Sequence, residues 1–332
     1  MSSRLDKTQP IIHHVLRHLP LPRRPPPAGV EHVASKPLFV GISGPQGIGK
    51  TTLTKELVAT LSGAPHNLRV LAFATDDLYL PFKEQEALKW SDPDNKLIEF
   101  RGLPGTHDIS LGASTFQAIC EANRQVHSGS EHQQVVVPIP SYDKSLHAGR
   151  GDQIPRDQWL QVKAPFDVVL FEGWSLGFRS VHNSELLFEM YQQRSTFPPY
   201  YLAKHPFSSL ETINRSLEEY ERQWYSYLDV FVHLSAPNLA TVFKWRAEQE
   251  RDLWAMKGSG MSVDQIRDFV SRFMPAYEIY LEKLKVENVF REEEEEDNNI
   301  APTLSTESLS VGRHLRLDLD EERDLIQVTL VE

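Results

Sequence analysis

Apolar positions along this chain fall into two rhythms. Short unbroken runs at residues 37–42 (PLFVGI), 70–74 (VLAFA), 167–171 (DVVLF) and 230–234 (VFVHL) have the pattern of strands buried on both faces. A further run at 135–138 (VVVP) predicts one more strand. Between them the spacing becomes helical. Leu53, Leu57 and Leu61 share one face within residues 50–61, Gly63 follows as a stop, and further helices are expected around 113–124, 211–226 and 237–256. Strands alternating with helices predict an α/β fold with a mainly parallel sheet and helices on both faces. Ligands in such folds sit at the carboxyl ends of the strands. The tail alternates strictly at Leu315, Leu317 and Leu319, then at Ile326, Val328 and Leu330, which predicts a closing antiparallel β-hairpin.

Two domain segments follow from the same pattern, an N-terminal extension over 1–36 and one large domain over 37–332. In the extension, Ile11, Ile12, Val15, Leu16 and Leu19 form one apolar stripe, the mark of a short docked helix, and Pro20 to Pro27 read as a stiff linker. The excess of Arg4, Lys7, Arg17, Arg23 and Arg24 over Asp6 and Glu31 also resembles a transit peptide, but the docked helix is the preferred reading. Residues 177–210, rich in aromatics and proline, lack periodicity and are expected to form an insertion or flap. Residues 286–311 hold an acidic run and then polar residues, the composition of a flexible solvated loop.

Composition narrows the function. A chain of 332 residues that is 40% hydrophobic can build a substantial core. Of its net charge of −11, residues 292–297 (EEEEED) carry six negatives, a balance that argues against a nucleic-acid partner. No stretch is long and apolar enough to span a membrane, so no membrane partner and a cytoplasmic location are expected. The one cysteine, Cys120, excludes an internal disulfide and reads as a small buried helix residue.

The chemistry is concentrated at strand ends. Residues 44–51, Gly44-Pro45-Gln46-Gly47-Ile48-Gly49-Lys50-Thr51, fit G-x-x-x-x-G-K-[ST], the phosphate-binding loop of nucleotide triphosphate enzymes, between a predicted strand and helix. Its glycines let backbone N–H groups approach phosphate oxygens, Lys50 can reach the β- and γ-phosphates, and Thr51 can bind Mg²⁺; Thr52 completes the cofactor-binding set. ATP or GTP with Mg²⁺ is therefore the expected ligand. The nearest string to a guanine-reading N-K-x-D is Asn95-Lys96-Leu97-Ile98, which lacks the aspartate, so a guanine switch is not expected.

The second strand runs into Asp76-Asp77-Leu78-Tyr79. Asp76 is the expected base for an attacking hydroxyl and a further candidate metal ligand, with Asp77 the alternative base or a turn cap. Asp77 and Tyr79 also count as substrate-binding candidates. The run ending at Glu172 has the look of a Walker B strand, whose acid polarises Mg²⁺. Two polar segments, 101–108 (RGLPGTHD) and 141–152 (SYDKSLHAGRGD), supply Arg101, His107, Asp108, Tyr142, Lys144 and Arg150 as candidates for a substrate pocket. Lys244, Arg246 and Arg251 can close over phosphates as a lid, or form ordinary surface pairs such as Arg246 with Glu250. The histidines show no metal spacing.

Together these motifs resemble the P-loop small-molecule kinases that include uridine kinase, phosphoribulokinase and pantothenate kinase, and most closely the D-glycerate 3-kinase family with its ATP-binding relatives. The resemblance spans roughly residues 37–330 and rests on GPQGIGKTT (44–52), TDDLYLPF (75–82), RGLPGTHD (101–108), PSYDKSLHAGRGD (140–152), FEGWSLGF (171–178), WRAEQE (245–250) and GMSVDQIRDFVSRFMPAYEIY (260–280). It implies a three-layer P-loop NTPase fold with a lid and a C-terminal β-hairpin, and the roles of base for Asp76, Mg²⁺ assistance for Glu172 and phosphate closure for Arg246 and Arg251. It implies phosphorylation of a small-molecule hydroxyl, D-glycerate first. A nucleoside or pantothenate-like acceptor is the alternative. A non-catalytic ATP-binding regulatory protein is another, though such a protein needs no base at Asp76.

Overall fold

The computed structural model describes residues 6–19, 36–128, 134–196, 198, 200–257, 261–290 and 312–332. The linker expected at 20–27 and the acidic run at 292–297 lie outside the described residues. In chain order the principal elements are α1 (Thr8–His18), β1 (Leu38–Ser43), α2 (Lys50–Ser62), β2 (Val70–Ala74), α3 (Phe82–Ser91), α4 (Ile109–His127), β3 (Val136–Ile139), β4 (Tyr142–Asp143), β5 (Asp152–Gln153), β6 (Leu160–Lys163), β7 (Val168–Gly173), α5 (Ser184–Ser195), α6 (Phe207–Gln223), β8 (Val230–Ser235), α7 (Ala240–Lys257), α8 (Val263–Ser271), β9 (His314–Leu319) and β10 (Leu325–Val331).

The central sheet has the order β10-β9-β8-β1-β7-β2. All neighbours pair in parallel except β9 and β10. The hairpin therefore does more than close the fold: β9 is the fifth parallel strand, with Leu315 opposite Val232 of β8. Alternate residues of the strands divide between two cores. Phe39, Phe73, Phe171 and Phe231 pack on one face with Phe116 of α4 and Tyr220 of α6. Val40, Ile42, Leu170 and Val232 pack on the other with Leu53 and Leu57 of α2 and Ile11 and Val15 of α1. Burial on both faces is why these strands read as continuous apolar runs. On the edge strand β10, by contrast, Ile326, Val328 and Leu330 are exposed.

Two expectations change. The run at 135–138 does form a strand, but β3 pairs antiparallel with β6 in a separate ribbon and takes no place in the central sheet. The segment 177–210 contains α5, whose start is capped by the Asn183 side chain, which accepts from Glu185 N and Leu186 N. Among the described residues no helix is long and apolar enough to cross a membrane.

Candidate active site

The carboxyl ends of β1, β2 and β7 bring three of the predicted motifs together. The loop after β1 turns through Gly47 (φ 81°) and Gly49 (φ 99°), left-handed conformations that glycine adopts without a Cβ clash. Lys50, at the start of α2, folds back so that Nζ donates to the carbonyls of Gly44 (2.6 Å) and Pro45 (3.3 Å). Burial pushes its ammonium below the usual value, against the pull of the Glu172 and Asp76 carboxylates. The Gln46 N–H donates to the buried Tyr277 hydroxyl at 3.2 Å.

Glu172 is the penultimate residue of β7, with Ala74 of β2 beside it in register. Both its oxygens accept from α2 hydroxyls: Thr51 at 2.9 Å and Thr54 at 3.0 Å. Thr54 carries no motif signal, but it follows Thr51 by three residues, which puts both on one helix face.

Asp76 and Asp77 lie on a 3₁₀ turn, Thr75–Leu78, and their roles separate. The Asp77 carboxylate accepts from Ala74 N at 2.9 Å and so closes the turn. Burial pushes its pKa up to about 6, and the Asp76 charge adds to the rise. Asp76 accepts from the Tyr79 hydroxyl at 3.0 Å and pairs with Lys144. Burial alone would raise it, but the Lys144 charge and hydrogen bond, with the Tyr79 bond, hold its carboxyl below the usual range. Asp76 is thus an ionised carboxylate with no backbone hydrogen bond among the described residues, the protonation state in which an acid can act as a base.

The polar segments pack around this acid. His107 stacks on Tyr79 with ring centroids 4.3 Å apart, and its Nδ1 lies 2.5 Å from the Tyr220 hydroxyl. Tyr220 also accepts from Gly105 N at 3.3 Å. Burial lowers the His107 pKa to about 4, so the ring is neutral. Arg101 donates to the carbonyls of Gly149 (2.7 Å) and Arg150, and has no carboxylate partner among the described residues. Tyr142, lying under Arg101, donates to the Arg150 carbonyl at 3.3 Å. Arg150 is engaged elsewhere, with Glu86 and with the Glu99 carbonyl at 3.2 Å. Asp108 caps α4, accepting from Leu111 N at 2.8 Å.

On α7, Lys244 pairs with Glu321 (3.0 Å) and Glu322 (3.1 Å) of the hairpin turn. Arg246 pairs with buried Glu250 one turn on, and burial lowers its pKa despite that partner. Arg251 is exposed and makes no hydrogen bond or ion pair among the described residues. A cavity of about 300 Å³ opens between the phosphate loop and α7, lined by Gly47, Gly49, Thr52, Glu248 and Asp252. Arg323 of the β9–β10 turn and Lys7 also border it, and neither lies in any motif.

No family model matches the chain. It is 34% identical over 272 residues to the uncharacterised kinase mug58 of Schizosaccharomyces pombe, covering 82% of this chain and 88% of that one. It is 32% identical over 303 residues to the chloroplastic D-glycerate 3-kinase of Arabidopsis thaliana, covering 87% of this chain and 54% of the relative; the chain spans about half the length of that protein. A solved D-glycerate 3-kinase from Cryptococcus neoformans superposes with a TM-score of 0.77 at 29% identity, covering 97% of this chain and 98% of that one.

Proposed function

The chain belongs to the D-glycerate 3-kinase family of P-loop kinases, and from that premise we propose that it transfers the γ-phosphoryl group of ATP to a hydroxyl of a small metabolite, D-glycerate first. The observation that carries this reading is Asp76, an ionised acid held by Tyr79 and Lys144 on the turn after β2, two residues beyond the partner of Glu172.

The donor set suits both ligands. The loop offers backbone N–H groups and a part-buried cation whose hydrogen bonds, among the described residues, go to main-chain carbonyls, a charge that phosphate oxygens can take up. Thr51, Glu172 and Asp76 present oxygen alone, the ligand type of a hard divalent cation. Mg²⁺ held by these oxygens would offset the charge that develops as the phosphoryl group moves. The cavity beside Gly49 and Thr52 has room for the nucleoside end of ATP.

The remaining steps belong to side chains. Asp76 orients the acceptor hydroxyl and takes its proton late in transfer, while Tyr79 and Lys144 keep the carboxylate ionised until then. Arg101 is the cation for an acceptor carboxylate, because among the described residues its hydrogen bonds go to carbonyls and it has no carboxylate partner, whereas Arg150 already has Glu86. Arg251 is the uncommitted lid cation. Arg246 reaches phosphate only by leaving Glu250. A cytoplasmic location is part of the same proposal.

A panel of acceptors tests the reading: D-glycerate, L-glycerate, uridine and pantothenate, each followed by ADP release with Mg-ATP. The proposal expects turnover with D-glycerate above all others. Turnover confined to uridine or pantothenate would move the acceptor, and ATP binding without turnover on any of them would favour a regulatory role.

A further inference from the structure

The β9–β10 turn reaches back to the phosphate loop through one side chain. Arg323 donates from Nε to the Gly47 carbonyl at 2.7 Å and from Nη2 to Glu248 of α7 at 2.7 Å, with its guanidinium over the Trp245 ring. Trp245 is fully buried, donates to the Glu321 carbonyl at 2.7 Å, and packs so closely that a Cβ on Gly47 would meet its own Cβ at 2.6 Å. Lys7 of the N-terminal extension donates to the Arg323 carbonyl at 3.3 Å. Loop, lid helix, hairpin turn and N-terminal helix thus meet at one residue.

Its backbone is strained to get there. Arg323 sits at φ 67°, a left-handed conformation that costs an L side chain. The Asp320 side chain closes the turn around it, accepting from Glu322 N (2.9 Å) and Asp324 N (2.8 Å). Strain of this kind persists where the surroundings over-determine it, and it clusters at functional sites.

The contact with Gly47 has a geometric consequence. In a planar trans peptide the carbonyl and the following N–H point in opposite directions. Holding the Gly47 carbonyl towards Arg323 directs the Ile48 N–H away from that arginine, where it donates to the Pro45 carbonyl at 3.3 Å. The same Pro45 carbonyl accepts from Lys50 Nζ at 3.3 Å, so this N–H lies beside the ammonium expected to meet phosphate.

We propose that Arg323 is a positioning residue of the nucleotide site: it fixes the orientation of the Gly47–Ile48 peptide for phosphate binding and ties that peptide to the lid helix through Glu248. The proposal rests on the reading of this loop as an ATP site. The N-terminal helix joins the site through Lys7, as a brace on the turn that carries Arg323.

The test is titration of ADP with Mg²⁺ into the full-length protein by calorimetry, alongside thermal melts without nucleotide. R323G removes both side-chain contacts while accepting the left-handed backbone. It is expected to keep a near-wild-type Tm and to raise the Kd for ADP about tenfold, the loss expected when a charge-assisted bond that shapes a site is removed. R323K keeps the charge but lacks the planar fork that spans the Gly47 carbonyl and Glu248, and is expected to lie between. A shifted Tm with an unchanged Kd would mean a structural role only and would overturn the proposal. If R323G does not fold, wild-type affinity in R323K overturns it. Absence of ADP binding by the wild type would instead sink the function reading on which it stands.

Discussion

Replacing Asp76 with asparagine removes a negative charge and a proton acceptor with almost no change of shape. The consequences for the fold are small. Lys144, half-exposed, loses an ion pair of the surface kind, worth at most about 1 kcal/mol. Tyr79 can still donate to the amide oxygen. Among the described residues Asp76 makes no hydrogen bond to the phosphate loop, and its pull on Lys50 is electrostatic, so metal-free ADP affinity should stay near that of the wild type or rise slightly as one carboxylate leaves the anion site. The loss therefore falls on the chemical step. A positioned acid or base contributes roughly 10²–10⁴ in rate, about 3–5 kcal/mol of barrier. Asp76→Asn should lower kcat by that factor, as read by coupled ADP release, with the Kd for metal-free ADP from calorimetry near that of the wild type. Retention of wild-type kcat would refute the assignment. If Asp77→Asn were the crippled variant instead, the base would be the acid that closes the turn.

The nucleotide site, pH response and N-terminal helix each give a further expectation. Lys50→Ala should abolish turnover and weaken ADP binding in calorimetry; full activity in this variant would remove the phosphate loop from the account. Asp77 titrates at about 6 in the fold, above its ordinary value of 3.8. A raised carboxylate stabilises the fold while protonated, so this contribution is present at low pH and is lost as pH rises from about 4 through about 6. Asp77→Asn keeps an oxygen for Ala74 N but cannot ionise, and should be more stable than the wild type at pH 7.5 by up to about 3 kcal/mol, with the gap closing towards pH 4. Equal melting curves for the two proteins at both pH values would contradict this sign. Ile11 is fully buried between α1 and the central sheet. Ile11→Ala should cost about 2–5 kcal/mol by urea denaturation, whereas a loosely attached N-terminal helix would show almost no loss.

The sequence is legible where one requirement dominates a segment. The phosphate loop is legible because glycine, lysine and threonine each meet a separate mechanical demand at fixed spacing. The parallel strands are legible because burial on both faces leaves unbroken apolar runs. The hairpin shows in its alternation, but alternation reports neither neighbour nor exposure. Nothing in Leu315, Leu317 and Leu319 says that β9 lies beside β8, and the apolar side of β10 faces solvent. The strand at 135–138 is apolar for a local ribbon with β6, which a run of valines cannot distinguish from a sheet strand.

Site residues divide in the same way. Asp76 and Glu172 follow from their places at strand ends. The choice of Asp76 over Asp77 rests on a hydrogen bond to Ala74 N, which has no sequence signature. Asp108 and Arg150 belong to polar segments that mix pocket residues with caps and internal ties, and the sequence does not sort them. Tyr220 and Arg323 meet their partners across more than a hundred residues, the first on a plain amphipathic helix and the second in an acidic turn.

The most direct test of the central claim is ADP release from Mg-ATP with and without D-glycerate, with the product identified by mass. The account predicts ADP formation that depends on D-glycerate and a matching phosphoglycerate. ADP formed at the same rate without an acceptor, or no ADP at all under saturating Mg-ATP and D-glycerate, would contradict it.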